Sequence, residues 1–168
     1  DTKNFAVQTG ERTFEAAAYL RRHGADPGLV HNLFRDEMAT VVQRAKLVAE
    51  ARTPIPGLAV SVYKNSPNGD NTSVILAQAA DELVTMSEVK VSVVMAETEN
   101  ELLVSARSDG SVNVQTIMEE LGGGGHQTVA GVQLKGVKAE EVEPQIIELT
   151  RKQMEERETN ESNITARY

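Results

Sequence analysis

The residues in this sequence best suited to chemistry are four consecutive glycines and a histidine: Gly122, Gly123, Gly124, Gly125 and His126. Glycines lack a Cβ atom and adopt positive φ at little cost, so several backbone N–H groups in such a run can converge on one anion. The histidine can donate a hydrogen bond to a phosphate oxygen and gain a proton as it does so. The composition of this stretch therefore predicts a binding site for a phosphate group.

The elements on either side of the glycines determine where positive charge can come from. Apolar residues at positions 114, 117, 118 and 121 have the spacing of one helix face, and Gly122 falls where a helix C-terminus favours a left-handed residue. A strand is predicted over residues 129–134. This order, helix, glycine loop and strand, is the reverse of a P-loop, so side chains such as His126 must supply the charge. The simpler alternative is a helix C-cap and tight turn beside a surface histidine.

A second candidate pair, Arg107 and Ser108, lies at the end of a predicted strand. A turn follows, and either Ser111 or Asn113 can cap the helix that leads into the glycines. The free N–H groups at the start of that helix would face the strand end. There the forked guanidinium of Arg107 suits phosphate oxygens, although a solvated charge at a strand end is the usual case.

Several short motifs join these two features: Ser105 to Ser108, Asn113-Val114, Gly122 to His126, Thr128 and Ala130-Gly131. In combination they resemble the signature of the domain that follows the catalytic DHH domain in DHH-superfamily phosphoesterases. In that family the second domain binds the nucleotide substrate, and the preceding domain holds two metal ions, usually manganese. The resemblance implies substrate contacts from Arg107, Ser108, Asn113, Gly122, Gly123, Gly124, Gly125 and His126.

The start of the chain carries a further resemblance, in Asp1 to Phe5, Thr9-Gly10, Arg12 to Ala17 and Arg22 to Pro27. These motifs are similar to the end of the DHH domain in the cyclic-di-AMP phosphodiesterase branch of the family. The resemblance makes Asp1 the last aspartate of the two-metal site, while the other metal-binding motifs are absent from the sequence. Two ions roughly 3.5–4 Å apart need several carboxylates and imidazoles, so we expect this chain alone to bind no manganese and to hydrolyse nothing.

That branch consists of large membrane-anchored bacterial proteins. Because the chain begins at Asp1 without an initiator methionine, we expect it to be part of a longer protein. The resemblance implies that this part lies on the cytoplasmic face of the membrane. No apolar run approaches the length of a membrane span, so any anchor is expected elsewhere. The sequence has no cysteine, which excludes a disulfide framework and a thiolate metal site.

The formal charge of the 168-residue chain is −8, which argues against binding of duplex or long single-stranded nucleic acid through a basic face. Aromatic residues make up 4% of the sequence, so stacking platforms for RNA bases are few. A small anion is still compatible, because Arg107 and His126 are local charges. The family resemblance implies that this anion is a cyclic dinucleotide or short adenine oligonucleotide.

The hydrophobic pattern predicts an α/β fold in which a mixed β-sheet is flanked by helices and preceded by a long connector helix. Strands and helices alternate along most of the chain. The predicted strands cover residues 58–63, 89–96, 102–107 and 129–134, and the predicted helices cover residues 74–84, the segment leading into the glycines, and residues 139–156.

We expect four segments: residues 1–25 as the remnant of the DHH domain, 26–56 as the connector helix, 57–158 as the substrate-binding domain, and 159–168 as a frayed tail. Asp26-Pro27 is a helix start, and an apolar stripe then continues for about seven turns until Pro54. If part of this stripe is exposed, it is compatible with a homodimer.

Three alternatives to the cyclic-dinucleotide branch remain at this point. One is the nanoRNA or phosphoadenosine phosphatase branch of the same superfamily, whose substrate-binding domain carries the same glycines. Another is an RNA-binding module like the related appendage of alanyl-tRNA synthetases, which the acidic charge disfavours. The third is an interaction domain with no ligand.

Overall fold

In the computed structural model, which describes Thr2, Phe5, residues 8–64 and residues 71–165, six strands form one mixed sheet with helices on both faces. The predicted α/β class, a mixed sheet flanked by helices, is confirmed. The helices are α1 (Glu11–Arg22), α2 (Pro27–Asn32), α3 (Met38–Ala49), α4 (Thr72–Leu83), α5 (Val114–Glu120) and α6 (Ala139–Thr165). The strands are β1 (Arg52–Ile55), β2 (Leu58–Tyr63), β3 (Val91–Glu97), β4 (Glu101–Ser108), β5 (Gly124–His126) and β6 (Val129–Lys135).

The chain divides into two compact units, Asp1–Met38 and Ala39–Tyr168. The first contains α1 and α2, and neither helix has a buried side chain. Asp26 begins α2 as predicted, since its Oδ1 accepts hydrogen bonds from the backbone N–H of Gly28 and Leu29. Asp1, the one predicted metal ligand, lies outside the described residues.

The prediction of a single connector helix over residues 26–56 is wrong. The helix ends at Asn32 and a new helix, α3, begins at Met38. The apolar spacing runs through the break, which is why periodicity alone concealed it. The missed signal is Asp36-Glu37, because carboxylates just before a helix favour a new N-terminus. Val41 and Val42 of α3 are exposed.

The end of the predicted connector is an edge strand, β1, which pairs antiparallel with β2. Pro56 and Gly57 form the two-residue turn between them, and Gly57 adopts φ +84. Proline followed by a glycine with positive φ is the composition of a type II turn. Pro54 is tolerated within β1 because an edge strand need not donate every backbone N–H to the ladder.

The sheet has the strand order β1-β2-β3-β4-β6-β5. Strands β2 and β3 are parallel and joined through α4, whereas β3 and β4 form the predicted antiparallel hairpin. Strand β6 pairs antiparallel with β4 on one side and with β5 on the other. The sheet therefore places β6 between β4 and β5, the two strands that carry predicted site residues.

Each face of the sheet packs a separate apolar cluster. On one face, α5 and α6 cover side chains that include Leu58, Met95 and Ile117. On the other face, α3 and α4 cover side chains that include Leu47 and Val94. Because side chains alternate along a strand, β2, β3 and β4 each contribute to both clusters.

Helix α6 is fixed to the sheet by ion pairs at its start. Arg52 of β1 donates to both carboxylate oxygens of Glu143, and this bond raises the pKa of the Arg52 guanidinium. Lys64 Nζ donates to Glu140 Oε1 at 2.7 Å, which raises the pKa of Lys64 and lowers that of Glu140.

The backbone of α6 is helical to Thr165, whereas the sequence predicted a frayed tail from residue 159. None of the helices within residues 8–64 and 71–165 is long and apolar enough to cross a bilayer.

Candidate functional site

The alternation of side chains along β4 separates its apolar residues from its polar ones. Val104 and Ala106 point into the cluster beneath α5 and α6. Ser105 and Arg107 therefore point to the opposite face, toward α4. This placement brings Arg107 to the side of the sheet on which α4 packs against β3 and β4.

The pairing register extends the same face across β6 and β5. Arg107 pairs with Val129, and Val129 pairs in turn with His126. Two residues further along β6, Gly131 lies between its pairing partners Ser105 and Gly124. Residues that pair across antiparallel strands project to the same side of a sheet.

These six residues form a surface that we call the open face: Ser105, Arg107, Gly124, His126, Val129 and Gly131. Val129 is 43% exposed and His126 is also exposed, whereas Arg107 is nearly buried, at 9%. The two glycines give the surface a floor without side chains between the polar residues. The Cα atoms of β4 and β5 are two strand spacings apart, ~10 Å, so their side chains can contact both ends of a ligand of nucleotide size.

The guanidinium of Arg107 is held by acceptors of the protein. Its Nε donates to Asp81 Oδ1 of α4 at 2.7 Å. Its Nη1 donates to Ser105 Oγ at 3.0 Å and to the Ala106 carbonyl at 2.9 Å. These bonds explain how a charged side chain is accommodated on the sheet, because buried charges require partners.

Ser108 points to the other face of the sheet from Arg107, since it pairs with Val91 of the cluster beneath α5 and α6. Its Oγ accepts hydrogen bonds from the backbone N–H of Gly110 at 3.0 Å and of Val112 at 3.3 Å. The side chain thus stabilises the turn that leads into α5. The structure does not bring Ser108 together with Arg107 on the open face.

Asn113, rather than Ser111, caps α5. Its side chain accepts a hydrogen bond from the backbone N–H of Gln115 at 3.1 Å, while Gln153 of α6 bonds its backbone N–H and carbonyl. The Ser111 Oγ is buried and has no hydrogen-bond partner among the described residues. Asn113 therefore orients α5 against α6, on the side of the sheet away from the open face.

The first two glycines of the run end α5. Gly122 has φ +84, as its predicted position at the helix C-terminus requires. The Gly122 N–H bonds the Glu119 carbonyl and the Gly123 N–H bonds the Met118 carbonyl. Because the helix uses both N–H groups, the predicted convergence of all the glycine N–H groups on one anion does not occur at these two positions.

Gly123 and Gly125 allow the backbone of the run to approach β6 closely. A Cβ atom on Gly123 would lie 2.3 Å from the Gly131 carbonyl oxygen, and one on Gly125 would lie 2.3 Å from the Val129 carbonyl oxygen. Gly125 also has φ +151. By contrast, a Cβ atom on Gly124 would meet no atom within 4 Å. The absence of a side chain at Gly124 is thus not required by packing, and it leaves the open face flat.

Backbone hydrogen bonds hold the turn after His126 in place. The Ser108 N–H bonds the Thr128 carbonyl, and the Val114 N–H bonds the Gln127 carbonyl, each at 3.0 Å. These bonds connect the end of β4 and the start of α5 to the turn between β5 and β6. The position of His126 relative to Arg107 is therefore fixed by both turns.

Four contributors to this site were not predicted as site residues: Asp81, Ser105, Val129 and Gly131. The strand alternation could have identified Gly131 only if the register between β4 and β6 had been known. Asp81 follows two alanines that α4 buries against the sheet, and a carboxylate at the margin of an apolar helix face was the available signal.

The described residues contain no group of three or more His, Asp or Glu side chains that could hold a metal ion. The side chains of these described residues therefore do not by themselves form a two-metal centre. The chemistry that the open face can perform is recognition of an anion, through one guanidinium and one imidazole.

Comparison with known proteins gives consistent matches. Residues 56–156 match the DHHA1 domain family. The chain is 47% identical over 149 residues to a cyclic-di-AMP phosphodiesterase, GdpP, of Geobacillus thermodenitrificans, and 44% identical over 149 residues to another, PdeA, of Listeria monocytogenes. Each alignment covers 88% of this chain, which spans 22% of the length of each relative.

A solved structure resembles the chain over nearly its whole length. It is that of an exopolyphosphatase-related protein from Bacteroides fragilis, with a TM-score of 0.77 and 14% sequence identity. The alignment covers 94% of this chain and 48% of that one. At this identity the likeness establishes the fold alone.

Proposed function

We propose, on the premise that this chain belongs to the DHHA1 domain family, that it binds the nucleotide substrate of a two-metal phosphodiesterase that hydrolyses cyclic-di-AMP to pApA. The relatives named as cyclic-di-AMP phosphodiesterases support the choice of substrate. We further propose that the whole protein is anchored in a bacterial membrane with this domain on the cytoplasmic side, and that the preceding domain holds two manganese ions.

The observation that carries the proposal is the open face. It combines a fixed guanidinium, an exposed imidazole and a floor formed by Gly124 and Gly131, all on one side of three adjacent strands. A guanidinium and an imidazole are both donors to phosphate oxygens. A floor without side chains admits a flat ligand against the backbone.

Arg107 is the main phosphate contact in this proposal. Its Nε and Nη1 donate hydrogen bonds to acceptors of the protein. Nη2 has no hydrogen-bond partner among the described residues. Nη2 carries two N–H donors, which suits a phosphate oxygen. His126, two strands away, donates to the other side of the ligand.

Ser108 and Asn113 have a supporting role in this proposal. They fix the turn and the helix that precede the glycines, so they act on the ligand through the position of β5. Gly122, Gly123 and Gly125 act in the same way, through the C-cap and the close packing of β5 on β6. Gly124 contacts the ligand directly.

This chain contributes binding and orientation to the reaction. Holding the dinucleotide in one orientation allows the phosphate under attack to be presented to the metal-bearing domain, and such positioning lowers the entropic cost of reaction. The metal ions, when bound elsewhere in the protein, would activate a water and neutralise phosphate charge. No hydrolytic step is assigned to residues of this chain.

Isothermal titration of the chain with cyclic-di-AMP tests the proposal, with pApA, cyclic-di-GMP and 5′-AMP as competitors at two salt concentrations. We expect selective binding of adenine dinucleotides with a shallow salt dependence, because few phosphates are neutralised. Preference for pApA over the cyclic form would favour the nanoRNA branch. No binding at millimolar ligand would contradict the proposal.

A further inference from the structure

The contact between Asp81 and Arg107 joins α4 to the open face. Asp81 lies near the end of α4, and its Oδ1 accepts from Arg107 Nε at 2.7 Å. The side chains are 32% and 11% exposed, respectively, so the pair is partly shielded from water. Shielding makes the interaction stronger than that of an ion pair on the open surface.

The Nη1 of Arg107 donates to Ser105 Oγ and to the Ala106 carbonyl oxygen, which fixes the guanidinium further. Three N–H groups of Arg107 are thus bonded to the protein before any ligand arrives. An arginine side chain has many rotamers, and freezing them on binding reduces affinity. A guanidinium already fixed on the sheet avoids most of that loss.

Asp81 also has an opposing effect, because its carboxylate carries the same sign of charge as a phosphate. If charge repulsion dominated, removal of the carboxylate would tighten phosphate binding. If orientation dominates, removal of the acceptor would weaken it. The contact geometry favours orientation, since Asp81 Oδ1 is bonded to Nε and no described residue bonds Nη2.

We propose that Asp81 is a positioning residue for nucleotide binding, which accepts from Nε of Arg107 and, with Ser105, holds the guanidinium so that Nη2 contacts a phosphate oxygen of the ligand. This inference rests on the proposed function. It adds a residue from α4 to a site otherwise built from β4, β5 and β6.

Two substitutions at this position separate orientation from charge. Asp81→Asn keeps an oxygen that can accept from Nε and removes the charge, whereas Asp81→Ala removes both. We expect Asp81→Ala to raise the Kd for cyclic-di-AMP by about threefold to tenfold, and Asp81→Asn to bind within about twofold of the unmodified chain. Glu82→Gln is the matched control, because Glu82 is the next carboxylate on α4 and pairs with Arg44 instead.

The titration has two outcomes that overturn the inference. Tighter binding by both Asp81 variants would mean that the carboxylate acts only as a competing anion. Unchanged binding by both, with lowered Tm, would mean that the ion pair serves stability alone. A raised Kd for Asp81→Ala, rescued by Asp81→Asn and absent in Glu82→Gln, supports it.

A second readout keeps the inference separate from the proposed function. In ¹⁵N-arginine spectra of the ligand-free chain, we expect a slowly exchanging Arg107 Nε–H signal that Asp81→Ala abolishes and Asp81→Asn retains. If the unmodified chain fails to bind cyclic-di-AMP, the proposed function is overturned, and this signal still decides whether Asp81 orients Arg107. A signal that is the same in all three proteins overturns the inference by itself.

Discussion

Two adjacent glycines of the run should respond in opposite ways to the same substitution. Gly125 has φ +151, and a Cβ atom there would lie 2.3 Å from the Val129 carbonyl oxygen and 2.5 Å from Ala130 Cα. Both are backbone atoms, so β5 must move away from β6 to accommodate a side chain. A Cβ atom on Gly124 would meet nothing within 4 Å, and its φ lies outside the left-handed region.

The magnitudes follow from these distances. Strained backbone of this kind costs on the order of 1–3 kcal/mol, and the overlap with β6 adds to it, so Gly125→Val should lose roughly 2–3 kcal/mol of stability. For a domain of this size that corresponds to a fall in Tm of about 4–12 °C. Gly124→Val should change Tm by no more than about 2 °C, because valine suits a strand and the space is open.

Thermal denaturation by circular dichroism, paired with cyclic-di-AMP titration of each variant, measures both effects. We expect Gly124→Val to keep the fold and abolish detectable binding, because its side chain would project onto the floor of the open face. A Tm for Gly124→Val as low as that of Gly125→Val would refute the described backbone of β5. Unchanged affinity in Gly124→Val would remove the glycine floor from the proposed site.

Three further outcomes are expected. Arg107→Ala should raise the Kd for cyclic-di-AMP by about 10- to 100-fold in titration calorimetry, and Ser108→Ala by less than about fivefold. The difference is expected because only the arginine substitution removes a charge-assisted hydrogen bond. Equal effects would argue that Arg107 does not contact the phosphate. Lys64 lowers the pKa of Glu140, so this pair stabilises the fold above the ordinary glutamate pKa, and the contribution is lost as pH falls through the lowered value. Glu140→Gln should therefore lessen the fall in Tm between about pH 7 and about pH 3, and an identical pH profile would count against the ion pair. In titration calorimetry of the unmodified chain, the Kd for cyclic-di-AMP should vary weakly with salt concentration. A steep dependence of Kd on salt would indicate contacts to many phosphates of a long RNA.

The elements of the second unit were largely predictable because their signals are local. Strands β2, β3, β4 and β6 and the helix α4 fall close to their predicted positions, since apolar alternation or helical spacing marks each one. The connector helix was predicted wrongly for the same reason: apolar spacing continues across residues 33–37, where the chain leaves the helical conformation. Strand β5 was missed because three residues, two of them glycine, carry no hydrophobic pattern.

The sequence by itself determined which residues could recognise an anion, and the family resemblance that they carry was borne out by the match over residues 56–156. It also determined the glycine at the end of α5, since a left-handed residue is required there by local geometry. Only the tertiary structure decided which candidates share a surface. Arg107 and Ser108 are neighbours in sequence, but the alternation of a strand sends them to opposite faces of the sheet. Strand pairing places His126 on the same face as Arg107, and helix packing brings Asp81 into contact with Arg107. Both depend on contacts between residues far apart in the chain, which leave no mark in any local pattern.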